Sequence, residues 1–145
     1  MIRESYKLEI AQDFLVFKFQ SVGNQGIIDK LVVFEELAEG RYNLAFGDVI
    51  DGVLNDEVIS NNFDFVKTAS TVVKAIHIFF NQYPSATLEI EAVDEKRLKF
   101  YNRIIMRRYW EIESKFRIAG IIDGVKSPYF YGNFYQKFEI QLKSR

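Results

Sequence analysis

No cysteine occurs in the chain, so disulfides, thiolate catalysis and cysteine-based zinc or iron–sulfur sites are excluded. Histidine is almost as scarce. His77 stands alone, and one imidazole cannot build a His-rich metal centre. As a general base it would need a nucleophile nearby, yet Ser70 precedes it by two helical turns, ~10 Å. Two prolines and the lack of any Ser-rich or low-complexity tract leave no candidate linker, so residues 1–145 are expected to form one domain. Long apolar runs are missing too. VVKAIHIFF is too short and too interrupted to span a bilayer. MIRESYKLEIAQDF has scattered charges and no apolar stretch of the kind a signal peptide carries, which predicts a cytoplasmic protein with no membrane role. A calcium loop is lacking as well. In GDVIDGVLNDE, Ile50 and Val53 fall where ligand oxygens should stand, so no metal is expected.

What is present is apolar and aromatic. Hydrophobic residues make up 48% of the chain and aromatics 16%, enough for a packed core without staples. The net charge of −1 conceals an uneven distribution. Residues 29–64 carry nine acids against two bases, whereas residues 94–117 carry eight bases against four acids. Opposed segments of this kind suit self-association or an internal match at least as well as an outside partner.

Periodicity predicts the elements. FLVFKFQSV (14–22), IIDKLVVFEEL (27–37) and RYNLAFGDVI (41–50) read as strands, the first two joined by a turn at GNQG. DGVLNDEVISNN reads as loop, with a short strand near Val58. From Phe63 to Gln82 the period changes. Val66, Ala69, Val72, Val73, Ile76, Phe79 and Phe80 share one arc of a helix that Pro84 ends. ATLEIEAV is a strand and residues 94–112 a second helix, capped by Asp94 with acids first and bases last. KFRIAGIID and FYQKFEIQL close the pattern as strands. The order β-β-β-α-β-α-β-β implies an α+β fold: an antiparallel meander, a βαβ crossover and a C-terminal hairpin.

The stretches YNLAFGD (42–48), SNN (60–62) and RLKFYNRI (97–104) resemble a bacterial family of small single-domain proteins with no assigned function. The element order is also similar to the core of GNAT-type N-acetyltransferases without their two N-terminal helices. That likeness implies an acyl-CoA-dependent N-acyltransferase. Tyr101 would be the general acid, Glu35 or Glu36 the base, and Asn61 and Asn62 would hold the phosphates of acetyl-CoA. The residues themselves fit this chemistry poorly. Pyrophosphate needs a glycine-bearing turn at a helix N-terminus, and ISNNFDFVKT has no glycine and places Asp64 on the anion's approach. Ile105 and Met106 stand where the enzymes carry Gly-Phe.

Other residues point elsewhere. Tyr101 shares a helical arc with Leu98, Ile104, Ile105, Tyr109 and Ile112, as a core aromatic would. Lys96, Lys99, Arg103 and Arg107 lie opposite that arc, with Arg97 and Arg108 at its border. With Trp110 they would suit a nucleic-acid surface, although the acidic first half opposes a polyanion. SPYFYGNFYQKF (127–138) is the most unusual composition. Tyr129, Phe130, Tyr131 and Phe134, with Tyr135, cannot all face inward from a hairpin, and exposed they would form a protein-contact surface. The reading this favours is a non-enzymatic or ligand-binding domain acting through protein contacts as a homodimer, with no cofactor. The acyltransferase is the alternative and a nucleic-acid binder the weaker one.

Overall fold

The structure, a computed structural model, describes residues 4–55 and 62–143. Among these it is a mixed α+β fold of nine strands in one sheet and three helices. The short strand expected near Val58 would fall outside the described residues. The chain divides into two compact units, one of Met1–Glu35 with Ala45–Tyr83 and the other of Glu36–Leu44 with Pro84–Arg145.

In the first unit β1 (Glu9–Ile10) edges β2 (Val16–Gly23), which pairs antiparallel with β3 (Gly26–Ala38). Alternation buries Phe17 and Phe19 on β2 and Lys30, Val32 and Phe34 on β3. The predicted turn at Gly23–Gly26 is where the two strands meet. The expected loop after β4 (Arg41–Ile50) starts instead as a hairpin to β5 (Val53–Asn55), turning through Asp51 and Gly52, both at positive φ. Asp48, an acid of the GDVIDGVLNDE stretch that also lies within the strand expected over 41–50, is a buried residue of β4 and pairs with Lys30 at 2.7 Å. Helix α1 (Phe65–Gln82) starts at the cap Asp64 and stops at Tyr83, before Pro84. Its buried face is broader than the apolar arc and includes Thr68, Ser70 and Thr71, while Val66 is exposed. Hydrogen bonding explains the polar members: Thr71 accepts from the Tyr6 amide at 2.8 Å and donates to the Lys67 carbonyl at 2.8 Å. Phe34 stacks on Phe79 at 4.3 Å and meets Phe17 edge-on at 5.5 Å, forming the aromatic centre of this unit.

In the second unit the start of β4 runs parallel to β6 (Thr87–Glu91), which establishes the predicted crossover. Helix α2 (Glu95–Arg107) opens on Asp94, whose carboxylate accepts from the Arg97 amide at 2.8 Å and pairs with the buried Arg97 guanidinium at 2.6 Å. The single helix expected over 94–112 is in fact two, with a break at Arg108 before α3 (Tyr109–Lys115). Strand β7 (Phe116–Ile122) turns through Asp123–Gly124 into β8 (Val125–Pro128), and β9 (Lys137–Leu142) inserts between β6 and β7. The closing pair is therefore β7 with β9, not a simple hairpin. The last strand begins only at Lys137, which leaves 129–136 as an irregular segment.

In this unit one face of the sheet carries a lattice of ion pairs. Arg41 bridges Glu89 at 2.8 Å and Glu139 at 3.2 Å, Lys137 meets Glu89 at 2.5 Å, and Lys126 meets Glu139 at 2.8 Å. The hydrogen bond from Lys137 holds Glu89 below its ordinary pKa, and Lys126 does the same for Glu139. The unfolded chain therefore takes up protons first as acid is added. This stability is complete above the ordinary glutamate value of 4.5 and is lost as the pH falls through the lower folded values. Urea midpoints measured from neutral pH downward should fall below about pH 4.5, and Glu89→Gln should flatten that fall.

Candidate functional site

The segment 129–136 is irregular yet tightly held. The Asn102 side chain is buried on α2 and acts as a backbone stand-in: its Nδ2 donates to the Tyr135 carbonyl at 2.8 Å, and its Oδ1 accepts from the Tyr135 amide at 2.8 Å. The same Nδ2 reaches the Leu98 carbonyl at 2.9 Å. The Tyr135 ring lies directly on Gly120 of β7, where a Cβ would stand 2.2 Å from ring carbon Cδ1. Glycine at 120 is thus required by close approach. The Tyr135 hydroxyl accepts from the Phe130 amide at 3.0 Å, the Tyr129 amide donates to Ile118 at 2.9 Å, and the Gln136 amide to Ile121 at 3.1 Å.

So anchored, the segment presents its remaining aromatics outward. Phe130 is 60% exposed, Tyr131 56% and Phe134 53%. Trp110 of α3, 72% exposed, stacks on Tyr131 at 5.9 Å, and Tyr109 joins both rings at 5.0 and 5.3 Å. Tyr129 differs from the other three aromatics grouped with it in the sequence, because it is buried against Tyr109, Tyr135 and Phe138. Its hydroxyl makes no hydrogen bond of ordinary geometry among the described residues. Burial raises its pKa, outweighing the opposite pull of the nearby Gly132 amide.

The remaining sequence candidates are dispersed. Tyr101 is buried in the second unit, where burial pushes its phenol up, against the lowering effect of the Arg97 charge. Glu35 and Glu36 are exposed at the end of β3, and Glu36 meets the Tyr42 hydroxyl only at 3.5 Å. Asn61 lies outside the described residues. Asn62 is buried and clasps the β2–β3 turn: its Nδ2 donates to Gly26 at 2.9 Å and Ser21 Oγ at 3.2 Å, and its Oδ1 accepts from the Gln25 amide at 2.5 Å. Asp64 beside it accepts from the hydroxyls of Ser21, Tyr6 and Thr68 at 2.5, 2.6 and 3.0 Å. Burial alone would raise its pKa, but these hydroxyls outweigh it and the net shift is downward. Lys96, Lys99, Arg103 and Arg107 are all exposed on α2, with Lys99 paired to Glu95 at 3.3 Å. Among the described residues no group of three or more His, Asp or Glu could hold a metal ion, and no helix is long and apolar enough to cross a membrane.

Sequence reasoning missed Asn102 and Gly120, the two residues that hold the aromatic segment. A signal for Asn102 existed, since an asparagine flanked by Tyr101 and Arg103 on a helix, with Leu98 one turn before, marks a polar group at the edge of a buried arc. Gly120 inside a β-branched strand pointed to a close backbone approach.

Over residues 2–143 the chain matches DUF6934, a family of unknown function, and it belongs to that family. No curated protein and no solved structure matches it. Membership identifies a domain of unknown function and brings no activity with it.

Proposed function

We propose that this chain is a non-enzymatic interaction domain that forms a homodimer through Trp110, Phe130, Tyr131 and Phe134. The observation that supports this is the combination of exposure and rigidity. Three large aromatics stand in solvent on a segment whose backbone is held by buried hydrogen bonds to Asn102 and β7, and the exposed Trp110 of α3 stacks on one of them. Such a surface loses little conformational freedom on docking, and aromatic side chains dominate the energy of contacts of this type. The acidic 29–64 and basic 94–117 segments would orient the two copies.

Light scattering on the full chain should give twice the monomer mass. Phe130→Ser with Phe134→Ser should give a monomer with unchanged circular dichroism, a loss of at least 2 kcal/mol of association or roughly thirtyfold in Kd. A monomeric wild-type chain at high concentration would remove this reading.

A second reading, a divergent acyl-CoA-dependent N-acyltransferase, draws on the parallel β4–β6 pair that flanks α1 in sequence. In it Tyr101 is the acid, Glu35 or Glu36 the base, and Asn61 and Asn62 hold the phosphates of acetyl-CoA. Millimolar acetyl-CoA would then raise the melting temperature by mass action. The interaction reading expects no shift, and a nucleic-acid surface at Arg103, Arg107 and Trp110 would show itself as oligonucleotide binding with a steep salt dependence.

A further inference from the structure

On the second unit's polar sheet face, strand register places Arg117 beside Gln141, and Ala119 between Glu139 on β9 and Pro128 on β8. Side chains in register share a face, and Arg117 and Ile121 are the next residues along β7 on that face. The methyl group of Ala119 is thus surrounded by five larger side chains. The result is an open groove of about 460 Å³ lined by Arg117, Ala119, Lys126, Pro128, Glu139 and Gln141. That volume lies within the range of small-molecule sites.

The charge of this face is not balanced. Glu89, Glu91 and Glu139 are matched by Arg41, Lys126 and Lys137, three against three, in the lattice described above. Glu139 borders the groove, but its carboxylate already accepts from Lys126 and Arg41. Arg117 is the fourth cation. It is exposed, lines the groove, and its guanidinium makes no ion pair or hydrogen bond among the described residues. A guanidinium presents a planar fork that suits carboxylate and phosphate oxygens, while Ala119 and Pro128 offer the groove an apolar floor.

We infer that this groove binds a small amphipathic anion, with its carboxylate or phosphate on Arg117 and its apolar body over Ala119 and Pro128. Neutral molecules of the same shape lose the charge-assisted hydrogen bonds, and inorganic phosphate lacks the apolar body. Neither the aromatic surface nor self-association enters this inference.

The test is a titration of the ¹⁵N-labelled full chain with benzoate, phenyl phosphate, inorganic phosphate and benzyl alcohol. Saturable shifts at the Arg117, Ala119 and Lys126 amides are expected with benzoate or phenyl phosphate, whichever binds tighter naming the carboxylate or the phosphate as the preferred group. Benzyl alcohol and inorganic phosphate should each bind at least about tenfold more weakly, and Arg117→Gln should weaken the anions by about tenfold. Ala119→Leu should fill the groove and abolish the shifts, while Arg117→Gln, a surface change, keeps the fold intact as a second readout. Non-saturable shifts, equal binding of benzyl alcohol, or unchanged affinity in Arg117→Gln would overturn the inference.

Discussion

Lys30→Met should lower the unfolding free energy by about 3–5 kcal/mol and the midpoint temperature by roughly 10 °C or more. The Lys30 ammonium and Asp48 carboxylate meet at 2.7 Å with their side chains 2% and 6% exposed. The Phe46 ring also lies 5.8 Å from the ammonium. Both charges are largely shut off from water, so removing Lys30 takes from the buried Asp48 carboxylate the cation that offsets its charge at 2.7 Å. The pair itself is a weaker source of stability than the single variant suggests. Both ions were desolvated on folding, and their attraction does little more than offset that cost. The double variant Lys30→Met with Asp48→Leu should therefore recover most of the loss, within about 1–2 kcal/mol of wild type. Urea unfolding of the four chains of the cycle measures this. A double variant as unstable as Lys30→Met would mean that the site tolerates no apolar packing, and a small effect of Lys30→Met alone would mean that water or other neighbours of Asp48 offset its charge.

The same pair explains part of what was legible beforehand. Period-two alternation located β2, β3 and β4 because Phe17, Phe19, Val32, Phe34, Leu44 and Phe46 announce one buried face. Lys30 and Asp48 occupy buried positions of those same strands, but a charged letter in an alternating pattern reads as solvent-facing unless its partner is known, and eighteen residues separate the two. Helix α1 was legible from Ala69, Val72, Val73, Ile76 and Phe79, whereas its buried Thr68, Ser70 and Thr71 depend on partners distant in sequence. The short elements β1, β5, β8 and α3 span two, three, four and seven residues, too few for a period to emerge. For the candidate site the composition of 127–138 was the visible signal. Which rings face water was not visible, because that is decided by where Asn102 and Gly120 hold the segment. Arg117 is likewise one base among eight in its segment, and only strand register isolates it from the paired ones.

Asn102→Leu should destabilise the second unit by about 2–6 kcal/mol and dissociate the proposed homodimer. The variant removes two hydrogen bonds of 2.8 Å to one residue, leaving the Tyr135 amide and carbonyl in a buried position without partners. Each unpaired buried group costs about 1–3 kcal/mol. The loss is directional. Tyr135 can recover its backbone partners only by moving toward water, which lifts its ring off Gly120 and its hydroxyl from the Phe130 amide. Phe130, Tyr131 and Phe134 then lose the fixed arrangement on which a preorganised contact surface depends. Gly120→Ala should reach the same state from the opposite side, since its methyl group would overlap the Tyr135 ring. Hydrogen exchange at the Tyr135 and Phe130 amides should accelerate in both variants by more than exchange at the Ile140 amide of β9. Light scattering should follow exchange, because the same displacement that exposes these amides disperses the aromatic surface. Were both variants to lose amide protection at 130 and 135 while remaining dimers, the contact would have to be made without the aromatic segment. Phe130→Ser and Phe134→Ser would then leave the mass unchanged too, so the two pairs of variants test one mechanism through independent chemistry.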